Sequence, residues 1–230
     1  IKQRVALQER RAVETAKGRD KLLAARHSAA QAIAQALAKR SPPPLIRQFL
    51  ERTWIDVLVF IQLRHGAASP EWQRACETAE QLAWSGTLLD AAQRDRLQGL
   101  RVDMLEELRN GLMLLGGYHQ DDIRRLLQDL VACQHAVQAG QPQLASRLSL
   151  PPSPSPLGAM LDDEAALLAT SRNGRRQPTD QSLVRELEKL EFGTWFDFIL
   201  GGKRQTLKLS WYSPTTCLLY TSDAADDSLR

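Results

Sequence analysis

The sequence predicts a mainly α-helical protein: an antiparallel helical bundle, then a Pro/Ser linker and a small, truncated β domain that opens with a hairpin. Three observations predict this arrangement. Apolar residues recur every three or four positions up to residue 140, residues 150–156 are rich in proline and serine, and residues 194–211 alternate apolar and polar side chains around a Gly-Gly pair. These patterns are typical of helices, of an extended linker and of paired strands, respectively.

The composition indicates a globular protein of ordinary charge. Hydrophobic residues make up 43% and charged residues 25% of the 230 positions, and the net charge is +3. Because basic and acidic residues are interleaved, we expect solvated helix faces and no nucleic-acid partner. The three cysteines form no CxxC pair, which favours a reducing, cytoplasmic setting. No stretch reaches the roughly 20 apolar residues of a membrane span.

The first predicted helix runs from residue 1 to about Lys39, where Ser41 and three prolines end it. It has few large apolar residues, so it either joins the bundle through a partner helix or stands apart. Residue 1 falls within this helical pattern, which predicts that the chain is cut at its start. The expected apolar positions are Val5, Val13, Leu22, Leu23, Ala30, Ile33 and Leu37.

The next segments predict the body of the bundle. Residues 44–64 are apolar nearly all round, which predicts a buried central helix. Ser69 and Pro70 open a third helix that ends near Trp84, and glycines at 116 and 140 end two more. The apolar positions of these three helices are Trp72, Cys76, Ala79, Leu82; Leu97, Leu100, Met104, Leu108, Leu112, Leu115; and Ile123, Leu126, Leu127, Leu130, Val137.

Beyond the bundle, assigned to residues 1–140, the sequence predicts two further parts. Residues 141–180 form a largely disordered linker. Residues 181–216 begin a small β domain, with strands at 194–200 and 204–211 joined by Gly201 and Gly202. We expect alternate residues of each strand to share a face.

The last fourteen residues carry a different signature. Residues 217–227 read Cys-Leu-Leu-Tyr-Thr-Ser-Asp-Ala-Ala-Asp-Asp, and this string resembles one reading frame of the transposase adapter used in short-read DNA library preparation. We therefore expect residues 217–230 to be a translated adapter rather than part of the natural protein, and the β domain to be incomplete.

Two groups of segments carry a family resemblance. The first combines residues 44–54 with 63–66, Trp72 and 81–85; the second combines residues 191–198 with 207–214. Together they resemble a proteobacterial family, domain-of-unknown-function family 1631, over residues 1–216. The resemblance implies a helical body followed by a PilZ-like β domain. Members are often labelled thymidine phosphorylase, but neither Gly-Gly pair opens a helix after a strand, as a phosphate-binding loop would.

The resemblance to PilZ domains also implies a ligand. Such domains bind a cyclic dinucleotide through an Arg-x-x-x-Arg pair and a second, strand-borne motif. Arg172 and Arg176 have the first spacing, but they precede the first strand by about twenty residues and the second motif is absent. A basic linker is therefore favoured over a phosphate clamp.

Other chemically suggestive residues have structural explanations. His119, Cys133 and His135 include potential metal ligands, but residues two apart on a helix point in different directions. Asp121 and Asp122 suit a first helical turn. His27 lies in an Ala-rich helix, and His65 lies at a helix end that favours a cationic side chain. Packing roles are expected for Trp54, Trp72 and Trp84. Solvent-facing roles are expected for the basic residues Arg4, Arg10, Arg11, Lys17, Arg19, Lys21 and Arg26.

Three function hypotheses follow from the sequence. The leading one is a non-enzymatic bacterial scaffold or regulatory module in the cytoplasm, with no cofactor, no metal and no catalytic residues, that binds a protein partner or itself through its helices. The second is a sensor of a cyclic dinucleotide. The third is an enzyme whose active site lies outside this fragment.

Overall fold

The computed structural model of the chain describes residues 2–38, 40–148, 191, 193–200, 203–212 and 219–223. Its elements, in chain order, are α1 Lys2–Leu37, α2 Pro44–Gln48, π1 Phe49–Trp54, α3 Ile55–His65, α4 Pro70–Ser85, α5 Ala91–Leu114, α6 Gln120–Gln138, α7 Pro142–Arg147, β1 Trp195–Leu200, β2 Lys203–Tyr212 and β3 Leu219–Asp223. The prediction of a mainly helical chain with a β hairpin near its end is confirmed.

The chain divides into two compact units. The central unit is Ala25–Ala169, and the terminal unit is Ile1–Ala24 with Thr170–Arg230. Within the central unit α3 packs on α4, α4 on α5, α5 on α6, and α6 on α7, while α2 contacts α4, α6 and α7. Short connections make consecutive helices neighbours, as expected for a bundle.

The buried central segment is confirmed, but it is not one regular helix. Between α2 and α3 the backbone N–H of Ile55 donates to the carbonyl of Leu50, five residues earlier, which is the hydrogen bond of a π-helix. The extra residue in this turn places two adjacent pairs in the core: Phe49 with Leu50, and Thr53 with Trp54. The apolar pattern alone did not predict the change of period.

Trp54 of the central segment contacts both α4 and α5. Its side chain is 1% exposed, and its indole Nε1–H donates to the carbonyl of Ala75 on α4 at 2.9 Å. Gly111 on α5 lies so close that a Cβ there would stand 2.7 Å from two atoms of the Trp54 ring. The close approach of α5 to π1 therefore depends on glycine at this position.

The buried faces of α4 and α1 differ in part from the apolar positions predicted for them. On α4 the buried residues include Ala75, Thr78, Ala79 and Leu82, whereas Trp72 and Cys76 are only half-buried. On α1 the residues described as buried are Ala25, Ala29, Ile33 and Ala36, and of these Ile33 was predicted. Ala79, Leu82 and Ile33 are buried as predicted. The prediction missed the buried alanines beside them, because alanine can line a closely packed helix contact as well as a larger residue can.

The helical body continues past the predicted boundary at residue 140. After Gly140, at φ +69°, α7 begins with Pro142 and buries Ala145 completely against the bundle. Residues 149–180, including the Pro/Ser stretch, lie outside the described residues, so the linker stays a prediction there.

The strands form an antiparallel sheet in the order β1-β2-β3. Trp195 pairs with Lys208 and Leu200 with Lys203, so two residues connect β1 to β2 as predicted. β3 was not predicted, because its residues were assigned to the adapter-like tail; it pairs with β2 past an irregularity between Leu209 and Trp211. This pairing does not test the origin of residues 217–230, which stays a prediction.

Candidate functional site

A groove between α5 and α6 forms a cavity in the described part of the helical bundle. Its volume is about 860 Å³. The residues that line it, hereafter the α5–α6 groove, are Val102, Leu105, Glu106, Arg109, Asn110, Arg124, Leu127, Gln128, Val131, Ala132 and His135. They recur at intervals of three and four on each helix, so each helix presents one continuous face to the groove.

The groove lies along part of an antiparallel helix pair. At one end Arg101 of α5 contacts His135 of α6, with 3.4 Å between Nη1 and Nε2. At the other end Arg109 and Arg124 lie together, because both also line an adjoining cavity of about 280 Å³. The floor is apolar: Leu127 is buried, and Leu105 and Val131 are half-buried.

The groove is open to solvent along its side. Val102 is 70% exposed, and most of the polar lining residues are exposed as well. Val102 lines the same groove as Leu105, Leu127 and Val131, and contiguous apolar surface of this kind often marks an interaction site.

Positive charge lies at both ends of the groove. Arg124 is paired with Asp121, at 3.1 Å. Arg101 and Arg109 have no carboxylate within ion-pair distance among the residues that the structure describes, and the buried Nε–H of Arg101 meets no acceptor there. Glu106 is the acidic residue of the lining and lies between the two ends.

The groove is held in place by a polar network on the other side of α6. The side-chain amide of Gln134, fully buried, donates from Nε2 to the Ser85 hydroxyl at 2.8 Å. Gln138 donates to the carbonyl of Thr87 at 2.7 Å and accepts from the backbone N–H of Leu89 at 3.2 Å. These bonds join α6 to the α4–α5 connection. Breaking one of them would leave a buried donor or acceptor unpaired, which lowers the free energy of unfolding.

The sequence-predicted candidates that the structure describes do not come together. Arg172 and Arg176, the candidate phosphate ligands, lie outside the described residues. His119 precedes α6 and is exposed, Cys133 is fully buried, and His135 lines the groove. No group of three or more potential metal ligands was found in the described part of the chain.

The two described cysteines are held as neutral thiols. Burial raises the pKa of Cys133 to about 11. The pKa of Cys76 is also raised to about 11, mainly by burial and to a smaller extent by the negative charges of Glu80 and Glu77. A thiol with such a pKa is a poor nucleophile at neutral pH, because the thiolate is the reactive form.

The remaining candidates have packing or surface contacts. Trp54 is in the core, and Trp84 lies half-buried beneath the guanidinium of Arg96, 5.8 Å from the ring centre. Asp121 forms its ion pair on the helix surface. None of the helices described is both long and apolar enough to cross a membrane.

The groove was missed from the sequence because its residues flank the core stripes rather than form them. Val102 and Leu105 lie beside the buried Met104 and Leu108 on α5. The sequence signal that could have revealed the groove is this pair of apolar residues, three positions apart, on a helix that already has a full apolar stripe for the core.

The fold and the groove together define the class of the protein: a helical bundle domain that carries a solvent-open groove with an apolar floor. The chain belongs to the family described as "Protein of unknown function (DUF1631) third domain", whose model matches residues 15–131. The membership predicted from sequence is thereby confirmed. No curated protein and no solved structure matches the chain.

Proposed function

We propose that this chain is a non-enzymatic scaffold or regulatory interaction module that works in the bacterial cytoplasm and binds protein through its helices. The observation that carries the proposal is the α5–α6 groove, with its apolar floor and exposed Val102. Burial of exposed apolar surface is the main favourable contribution to protein association, and helix grooves are a recurring way to achieve it.

The position of the groove supports this role. It lies on two helices that are anchored to the core by Leu108, Leu112 and Leu130, all fully buried. A surface built on packed helices keeps its shape when a partner binds, so less conformational entropy is lost on association.

Site-specific photocrosslinking tests the proposal. A photoreactive amino acid replaces Ala132, an exposed groove residue of α6, in the full chain expressed in the organism that encodes it. The matched control replaces Gln73, an exposed residue of α4 that does not line the groove. We expect a discrete protein adduct at position 132 and none at 73; irradiation that yields no adduct at position 132 overturns the proposal.

The cyclic-dinucleotide hypothesis stays a prediction, since Arg172 and Arg176 lie outside the described residues. Calorimetry with the intact protein tests it, and the absence of binding heat would reject it.

A further inference from the structure

We infer that the α5–α6 groove receives one amphipathic helix of a different protein, about three turns long, carrying two carboxylates roughly seven residues apart. This inference rests on the proposed function, because it names the class of partner for the same groove. Shape, charge and symmetry each support it.

The dimensions of the groove match a helix. From Arg124 to His135 the lining of α6 covers eleven residue steps, or about 16 Å. A helix of that length, about 10 Å across and half-inserted, displaces roughly 600 Å³, which the 860 Å³ groove accommodates. A small ligand is normally held by burying most of its surface, whereas a helix needs to bury only one face. The open side at Val102 therefore fits a helix better.

The charges of the groove specify the partner. Arg101 and Arg109 are eight residues apart, so their attachment points on α5 are separated by about 12 Å. Carboxylates seven residues apart on a facing helix are separated by about 10.5 Å, so they reach both guanidinium groups. Between them, Glu106 disfavours a third carboxylate and favours a Lys or Arg on the partner.

Symmetry argues against a second copy as the occupant. Two copies related by a two-fold axis through this face would place groove against groove. Two concave surfaces cannot fill each other, so Leu105 and Val131 would remain uncovered. A protruding helix from a different protein fills the groove.

The test uses a displayed library of 16-residue peptides selected on the full chain. We expect the enriched peptides to carry apolar residues at helical spacing and two carboxylates about seven residues apart. Synthetic copies are then titrated by fluorescence anisotropy. Val102→Asp and Arg109→Glu should each weaken binding by about tenfold, the first by removing apolar contact and the second by repelling a carboxylate.

Matched variants control for nonspecific effects. Leu88→Asp changes an apolar residue that is 75% exposed outside the groove, and Arg94→Glu reverses a charge on the exposed surface of α5. Both should leave binding within about twofold of the wild type. Circular dichroism confirms that every variant remains helical.

Three results would overturn the inference: enriched peptides without paired carboxylates, affinity unaffected by Val102→Asp and Arg109→Glu, or a dimer in light scattering that Val102→Asp dissociates. If the photocrosslinked adduct at position 132 persists in any of these cases, the proposed function stands and only the partner class is wrong. If the adduct is absent, both are wrong.

Discussion

One substitution, made at two positions of α5, tests how closely this helix packs on the core. Gly111 is buried, and a Cβ there would stand 2.7 Å from Cη2 and Cζ3 of Trp54 and 2.9 Å from Cγ1 of Val57. At Gly99 a Cβ would meet no atom within 4 Å. Gly111→Ala and Gly99→Ala therefore add the same methyl group to the same helix in opposite environments.

The expected change in stability has two parts. Alanine is better than glycine in a helix interior by about 1 kcal/mol, and this gain applies at both sites. Overpacking a core costs about 1–3 kcal/mol. The upper value applies at Gly111, because the Trp54 ring is buried and its indole is bonded to the carbonyl of Ala75. Gly111→Ala should thus destabilise the protein by about 2 kcal/mol and Gly99→Ala should stabilise it by about 1 kcal/mol.

Thermal unfolding followed by circular dichroism measures both effects. For a chain of this size about 1 kcal/mol moves Tm by roughly 2–4 °C, so Gly111→Ala should lower Tm by about 4–8 °C and Gly99→Ala should raise it by about 2–4 °C. Trp54→Phe shortens the ring, so Gly111→Ala should cost less in that background. A Gly111→Ala protein as stable as the wild type would refute the close approach described here.

Three further predictions concern the supports of the bundle. Ser85→Ala leaves the buried amide of Gln134 without its acceptor and should cost about 1–3 kcal/mol in urea unfolding, part of which Gln134→Leu recovers. Alkylation of folded Cys76 and Cys133 by iodoacetamide, followed by peptide mass spectrometry, should be slow at pH 8 and accelerate only towards pH 11. Unfolded thiols ionise first, so the stability that these protonated thiols contribute is complete below pH 9 and is lost as the pH rises towards 11. Asp90→Ala removes one half of a capping box and should cost about 1 kcal/mol, whereas urea midpoints equal to the wild type would show that the cap is unimportant.

The helices were the most predictable part because their signals are local. Ser69 caps α4 by accepting from the backbone N–H of Trp72 at 3.2 Å, as its position before Pro70 predicts. The stripe of α6 is buried at every apolar position expected from its spacing, and Gly140 adopts the positive φ that a helix end favours. The hairpin was predictable for the same reason, since its strands are separated by only two residues.

Features that depend on a partner across the chain were not predictable. The buried face described on α1 combines three alanines with Ile33, and small side chains there become buried only because another segment packs closely on them. Within the π-helical turn at Phe49–Trp54, the indole of Trp54 donates to the carbonyl of Ala75, 21 residues away in the sequence. The spacing of apolar residues along one helix carries no information about how closely another segment packs on it. The sequence therefore predicted a regular helix at Phe49–Trp54.

The sequence by itself determined most of the helical segments before residue 140, several of the caps and glycines that bound them, and the family to which the chain belongs, because these properties are encoded in neighbouring residues. Only the tertiary structure decided that α5 and α6 pack with a gap along one side, leaving Val102 exposed between Arg101 and Arg109. A groove is the space between two surfaces. Its existence depends on the distance and angle between helices, which are set by the packing of core residues such as Gly111 against Trp54.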